Sequence, residues 1–176
     1  MIFTERSIAS YLARIVFQRK YLLLVPNCSW PGSECDLLAV TPNLRVVDVE
    51  IKISRSDLKA DAKKEKWFEY DSSAFGVWPR PKTRMQYPKR VWKHYYCLPR
   101  DLWMPELVAA MNPVSGILLV ESRRGEMLIR VERAAKPDRN AEKISAEDAI
   151  DIARLASLRM WDAYEKLDQT ERRIAA

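Results

Sequence analysis

Leu44-Arg45-Val46-Val47-Asp48-Val49-Glu50-Ile51-Lys52-Ile53 is the stretch on which the fold turns. Apolar and polar residues alternate along it, the period-two signature of a β-strand. Val47, Val49, Ile51 and Ile53 therefore share one face, and Val46, Asp48, Glu50 and Lys52 the other. The first face is wholly apolar, as a face against a core must be. The second presents an acid and, two residues later, a base. Thr41-Pro42-Asn43 is a turn, and residues 36–40 before it read as another strand, so the two predict a hairpin. If the chain reverses at 41–43, Asp36 falls almost opposite Glu50. Two carboxylates and an ammonium then converge at one end of a sheet.

Outward from this hairpin the pattern alternates helix and strand. Thr4 can cap a helix carrying Ile8, Leu12, Ile15 and Val16 at helical spacing to about residue 20. Residues 21–25 form a short apolar strand, followed by the turn-rich 26–33. Ser56 can cap a second helix to about residue 70, with Leu58, Ala62 and Trp67 along one side. Residues 95–98 predict a strand, and 101–111 a helix with Pro105 in its first turn. Residues 116–121 and 127–131 form a hairpin around Arg124-Gly125. After a polar linker at 136–143, Ser145-Ala146-Glu147-Asp148 starts a long final helix with a capping box in which Asp replaces Glu. The order is helix, three strands, helix, strand, then additions: an α/β layer built on a small mixed sheet flanked by helices.

With 176 residues the chain is expected to form a single domain with a sizeable core. Hydrophobic residues at 48% and charged residues at 31% argue against disorder, and 4 glycines give poor support to a glycine-rich nucleotide fold. No apolar run reaches the roughly 18 residues of a membrane helix, and the start lacks the order of a secretory signal, so a cytoplasmic protein without membrane contact is expected. Cys28, Cys35, Cys97 and the single His94 do not have the spacing of a structural zinc site, and the three cysteines read as thiols in a reducing cell.

The acidic pair has a chemical use. Mg²⁺ prefers hard oxygen ligands and keeps several waters, and Mn²⁺ accepts the same donors. Asp36, Glu50 and the backbone carbonyl of Ile51 can hold such an ion. The ion would polarise a phosphodiester oxygen and acidify a bound water. Lys52 would orient that water or stabilise charge on the phosphorane. Glu5, on the helix face of Ile8 and Leu12, can reach the same site and take a second metal or a metal-bound water. Asp48 reads as a solvated or supporting acid, Asp57 and Asp61 as helix-surface residues, His94 as structural or phosphate-contacting, and Trp67 and Trp103 as core.

Asp36, then Glu50-Ile51-Lys52, preceded by a helix bearing Glu5, resembles the PD-(D/E)xK phosphodiesterase superfamily, whose αβββαβ core has the element order read above. The likeness is closer to the MmcB-like DNA repair proteins. Their Val-Glu-Ile-Lys strand and Ser-Asp-x-x-x-Asp helix correspond to Val49-Glu50-Ile51-Lys52 and to Ser56-Asp57 with Asp61, followed by Lys66-Trp67. Tyr95-Tyr96-Cys97-Leu98-Pro99 and Gly116-Ile117-Leu118-Leu119-Val120 also look like that group, and the resemblance spans residues 4–165. It implies a restriction-endonuclease-like fold and a Mg²⁺-dependent deoxyribonuclease in repair, recombination or phage DNA processing. It also implies repair or replication proteins as partners, and a homodimer by analogy. Cys35 stands where Pro often precedes the Asp.

Charge supports a polyanionic partner. Residues 72–100 contain no Asp or Glu but hold Arg80, Lys82, Arg84, Lys89, Arg90, Lys93 and Arg100. With these seven set aside, 23 basic residues remain against 24 acidic ones, so one segment carries the whole +6 excess. Aromatics interleave with the cations, and Trp78 and Trp92 are candidates to stack on bases. Residues 72–93 thus read as a basic, aromatic insertion that grips DNA through phosphates and base faces. Two rivals follow from the same residues: a nuclease-fold DNA-binding accessory without catalysis, and a protein whose basic loop meets an acidic partner.

Overall fold

The computed structural model describes residues 2–71, 73, 76 and 82–175. Thr4 and Ser7 cap each other through side chain and backbone at the start of α1 (Glu5–Tyr11), which continues as a π-helical stretch, Leu12–Phe17. Three antiparallel strands follow: β1 (Leu23–Cys28), β2 (Cys35–Val40) and β3 (Val46–Ile51). Then come α2 (Arg55–Asp61), a small two-stranded sheet of β4 (Phe68–Tyr70) and β5 (Lys82–Arg84), and β6 (Lys93–Pro99). The chain finishes with β7 (Gly116–Arg123), β8 (Glu126–Arg133) and a 30-residue helix, α3 (Ala146–Ala175).

The main sheet is mixed, in the order β1-β2-β3-β6-β7-β8. β3, β6 and β7 run parallel at its centre, and antiparallel strands extend it on both sides. Central parallel strands are covered on both faces, and β3 is buried at all six positions. On one face Ile8, Leu12 and Phe17 pack against Leu37, Ala39, Val47, Val49, Ile51, Cys97 and Val120. The other face carries two apolar clusters. One joins Val25, Leu38, Val40 and Val46 to Ile152 of α3; the other joins Tyr96, Leu98, Ile117 and Leu119 to Leu58 and Trp67. Between them lie Asp48 and Glu50. The alternation of β3 is real, but its polar face looks into the protein.

The expected α2 is too long. Ser54, not Ser56, caps it, and it ends at Asp61. A single turn, Glu65–Trp67, then carries Lys66 and Trp67 inward before the chain straightens into β4. A continuous helix would rotate Asp61, Lys66 and Trp67 onto different faces, whereas here all three point at the sheet. Residues 101–111 are likewise not an α-helix but two 3₁₀ stretches, Arg100–Leu102 and Pro105–Ala110. The β7–β8 hairpin turns on Arg124 and Gly125, both with positive φ, as a two-residue loop of matching twist requires.

Gly116 opens β7 against its neighbour. A Cβ there would lie 2.2 Å from the Tyr95 ring and 2.8 Å from the Ala135 nitrogen. Gly116→Ala is expected to cost about 1–3 kcal/mol of stability as overpacking, read as a lower urea midpoint. Gly125→Asn, at a turn with φ +85° but nothing within 4 Å of the added carbon, is expected to lower the midpoint less than Gly116→Ala, because Asn tolerates positive φ better than most residues.

Candidate active site

Pairing of β2 with β3 sets Leu37 across from Val49, so the next position brings Asp36 beside Glu50. The Ile51 N–H donates to Asp36 Oδ2 at 2.6 Å, fixing that carboxylate at the end of β3. Lys52 Nζ donates to Glu50 Oε2 at 2.5 Å and stands 3.6 Å from Asp36 Oδ2. The structure therefore brings the three expected groups together. Glu50 is fully buried and Lys52 nearly so, whereas the Asp36 side chain keeps 26% of its exposure and forms the open side.

Five further groups, Asp48, Asp61, Lys64, Lys66 and His94, complete the cluster. Lys66 Nζ forms an ion pair with Glu50 Oε1 at 2.8 Å and lies 3.6 Å from Asp48 Oδ2. Asp61 is buried; its Oδ2 accepts from Tyr96 Oη at 2.7 Å and from Trp67 Nε1 at 3.2 Å. Lys64, half exposed, spans Glu50 Oε2 at 3.3 Å and Asp61 Oδ1 at 3.2 Å, closing the pocket toward solvent. His94 lies between Lys66 Nζ at 3.3 Å and Ser115 Oγ at 2.8 Å.

Burial and pairing set the charges. Burial works to raise the Glu50 pKa, but the Lys66 and Lys52 ammonium groups outweigh it and hold the carboxyl well below its usual range. Burial likewise opposes charge on Lys52, yet Glu50 and then Asp36 raise its pKa, so it remains a cation. Lys66 is raised against burial by Asp48, Glu50 and Asp61. Asp48 is pushed up to about 7 by burial, which Lys66 counters and Glu50 reinforces. Asp36 is raised by burial and Glu50. His94 is held well below its ordinary value by burial and then Lys66. A neutral His94 facing a charged Lys66 accepts through Nε2, so Nδ1–H donates to Ser115.

Several assignments change. Asp48 is not solvated but buried, and Asp61 is not a helix-surface residue but the anchor of Tyr96 and Trp67. One signal for Asp61 was present: it lies three residues after Leu58, on the helix side that Leu58 buries. Lys66 and Trp67 stand just after it, and Trp67 is core as expected. His94 is structural. Glu5 is the exposed first residue of α1, and its charge adds to the upward push on Asp36.

The basic residues divide into two groups. Trp78 and Arg80 lie outside the described residues. Lys82 and Arg84 are exposed on β5, whose hairpin rises directly from Trp67, with Met85 N–H donating to Trp67 O at 2.8 Å. Lys82 Nζ stands 4.4 Å from the Phe68 ring centre. Lys93, by contrast, pairs with Val47 at the start of β6, four residues up-strand from Ile51 and thus about 13 Å away. Trp92 is flanked there by Lys93 at 4.5 Å and Arg45 at 5.8 Å, so a base would have to displace a cation from its ring. Arg90 covers Trp30, and Lys89 pairs with Glu69 at 3.4 Å. Expected as one grip, the described part of the basic stretch is divided between the small β4–β5 sheet, which also holds Lys89 through Glu69, and the start of β6.

No family model matches the chain, and no curated protein matches it. Its fold is similar to that of a solved structure, the SPO1766 protein of unknown function from Silicibacter pomeroyi, with a TM-score of 0.56 and 16% identity over 97% of this chain and 96% of that one. At that identity the likeness concerns the fold alone. It covers nearly the whole length of both chains.

Among the described residues no three His, Cys, Asp or Glu side chains form a ready metal cage. Asp36 and Glu50 are hard oxygen donors of the kind a divalent ion takes, and Asp36 is open to water, but both Glu50 oxygens are held by Lys52, Lys64 and Lys66, so an ion there would have to displace a lysine.

Lys66→Met is expected to cost about 3–5 kcal/mol, because it strips buried Asp48 of its lysine partner and leaves Glu50 Oε1 without a cation. Lys64→Met, at the half-exposed rim, should cost less than about 1 kcal/mol. Urea unfolding of the two variants beside the wild type measures the difference.

Proposed function

We propose that this chain is a metal-dependent deoxyribonuclease of the PD-(D/E)xK kind, with a restriction-endonuclease-like core and nearest in character to MmcB-like repair proteins. The observation that carries the reading is the convergence of Asp36, Glu50 and Lys52 at the end of two paired strands. Mg²⁺ or Mn²⁺ held by Asp36, Glu50 and the Ile51 carbonyl supplies Lewis acidity and an acidified water when bound.

The chain's own residues then have distinct tasks. Glu50 is kept ionised by the two lysines that flank it, so it is ready as a ligand at neutral pH. Lys52 is kept protonated, so it serves as a donor to charge gathering on the phosphorane rather than as a base. Lys66 and Asp61 hold these groups from behind. Lys64 stands in the path of an incoming phosphate and, half exposed, can swing aside to meet it. Glu5 adds a carboxylate at the open side near Asp36. Lys82 and Arg84 on the adjacent hairpin draw the DNA backbone toward that side.

A specific observation favours a second reading. Glu50 and Lys52 are sealed by their own ion pairs, which suits a nuclease-fold protein that binds DNA without cutting it. Incubation with labelled single-stranded, duplex and branched DNA, with Mg²⁺ or Mn²⁺, separates the two. Cleavage that falls at least about 100-fold in Asp36→Asn and Lys52→Ala supports the enzyme. Tight, salt-sensitive binding with no cleavage that these substitutions remove supports the second reading and sinks the first. Calorimetry is expected to register divalent-ion binding that Asp36→Asn and Glu50→Gln abolish.

Under either reading, replacing both Lys82 and Arg84 by Ala should lower the dependence of log affinity on log salt by about 2. Replacing Lys89 and Arg90, already engaged with Glu69 and Trp30, should change it less. Fluorescence anisotropy over a salt series checks both.

A further inference from the structure

We propose that α3 joins two copies of this chain as an antiparallel helix pair. The inference stands on α3 alone and is independent of the chemistry at Asp36 and Glu50. The first part of the helix is held to the domain: Ile152 is fully buried against β1, and Arg159 donates to the Asn27 carbonyl at 3.2 Å. The 16 residues after Arg159 run on for about 24 Å. Ile150, Met160, Tyr164, Leu167 and Ile174 are exposed by 67%, 46%, 58%, 54% and 81%, with Trp161, 62% exposed, beside them.

These residues are not scattered. Taking Ile150 as position a of a heptad, Tyr164 is also a, and Met160, Leu167 and Ile174 are all d. One stripe therefore runs along the side of α3 away from Ile152 and Leu155, which pack on the domain. A domain-facing helix needs one apolar stripe; α3 has a second that nothing among the described residues covers.

The pattern is self-complementary in one register. A second α3 running the other way, centred on residue 162, places Ile150 against the partner's Ile174, Met160 against the partner's Tyr164, and Ser157 against the partner's Leu167. Trp161 meets its own copy near the two-fold axis. On the flank of the same stripe, Arg154 lies opposite the partner's Asp168, so opposite charges meet where an isologous interface brings them together. The two aromatic rings leave on the order of 100 Å² each to bury, and with the four aliphatic side chains the stripe approaches the roughly 800 Å² per partner of a standard interface. Acidic and basic residues are nearly balanced over 160–175, four against three. Such a helix lacks the basic face that an anionic membrane or a nucleic acid would select. A second copy of itself is the occupant its own charges fit.

Sedimentation equilibrium and light scattering of the full chain test this. A dimer at micromolar concentration is expected, reduced to monomer by Tyr164→Glu or Leu167→Lys. Both sites are exposed, so far-ultraviolet dichroism should stay as in the wild type. Arg154→Asp alone should weaken association at least several-fold, and the double exchange Arg154→Asp with Asp168→Arg should restore it. A chain that stays monomeric into the millimolar range overturns the proposal. So does a dimer indifferent to Tyr164→Glu, or a double exchange that restores nothing.

Discussion

Glu50 lies in the middle of the sheet with no exposure, and everything around it answers to that fact. A lone buried carboxylate is strongly penalised, because no dipoles of water remain to solvate it. Here three ammonium groups reach it, Lys52 from just past the end of β3, Lys64 from the segment after α2 and Lys66 from the turn that follows. Each lysine needs an anion of its own, and Asp36, Asp48 and Asp61 supply these. The early end of α2, the inward turn at Lys66-Trp67 and the neutral, Ser115-bound His94 all follow from closing this network.

The network also links stability to charge. The ion pairs that make the buried cluster tolerable are the ones that keep Glu50 charged and Lys52 protonated at neutral pH. Apolar residues of similar size can pack as well as a buried ion pair, but they would forfeit the convergence of carboxylate and ammonium at the sheet end. Rigid neighbours reinforce this. Tyr96 and Trp67 hold Asp61 from strand and turn, and Ile51 holds Asp36 through the backbone. The charged groups are thus held by strands and packed rings.

The surfaces divide the labour. Asp36 and Lys64 are the partly exposed members of the charged cluster, and the β4–β5 hairpin starts a few residues after Lys64. At the opposite end of the central strands, cations are spent on the protein's own rings: Arg45 and Lys93 on Trp92, and Arg90 on Trp30. α3 is held to the domain as far as Arg159 and beyond it carries exposed apolar residues.

Much of this was legible in the sequence, because it depends on short-range period and turn chemistry. The strand alternation of β3, the Thr41-Pro42-Asn43 reversal that pairs Asp36 with Glu50, the Thr4 and Ser145 caps and the Arg124-Gly125 hairpin are local properties, and local rules find them. What tertiary structure decided is which faces are covered. A period of two says that Asp48 and Glu50 share a side, but not that α2, Trp67 and α3 will close over it, since that depends on residues far along the chain. Asp61 and Lys66 became partners of Glu50 only because the helix between them stops short. The division of the basic stretch has the same origin: Lys82 and Arg84 pair with β4 in a small sheet of their own, while Lys93 opens β6 in the main sheet.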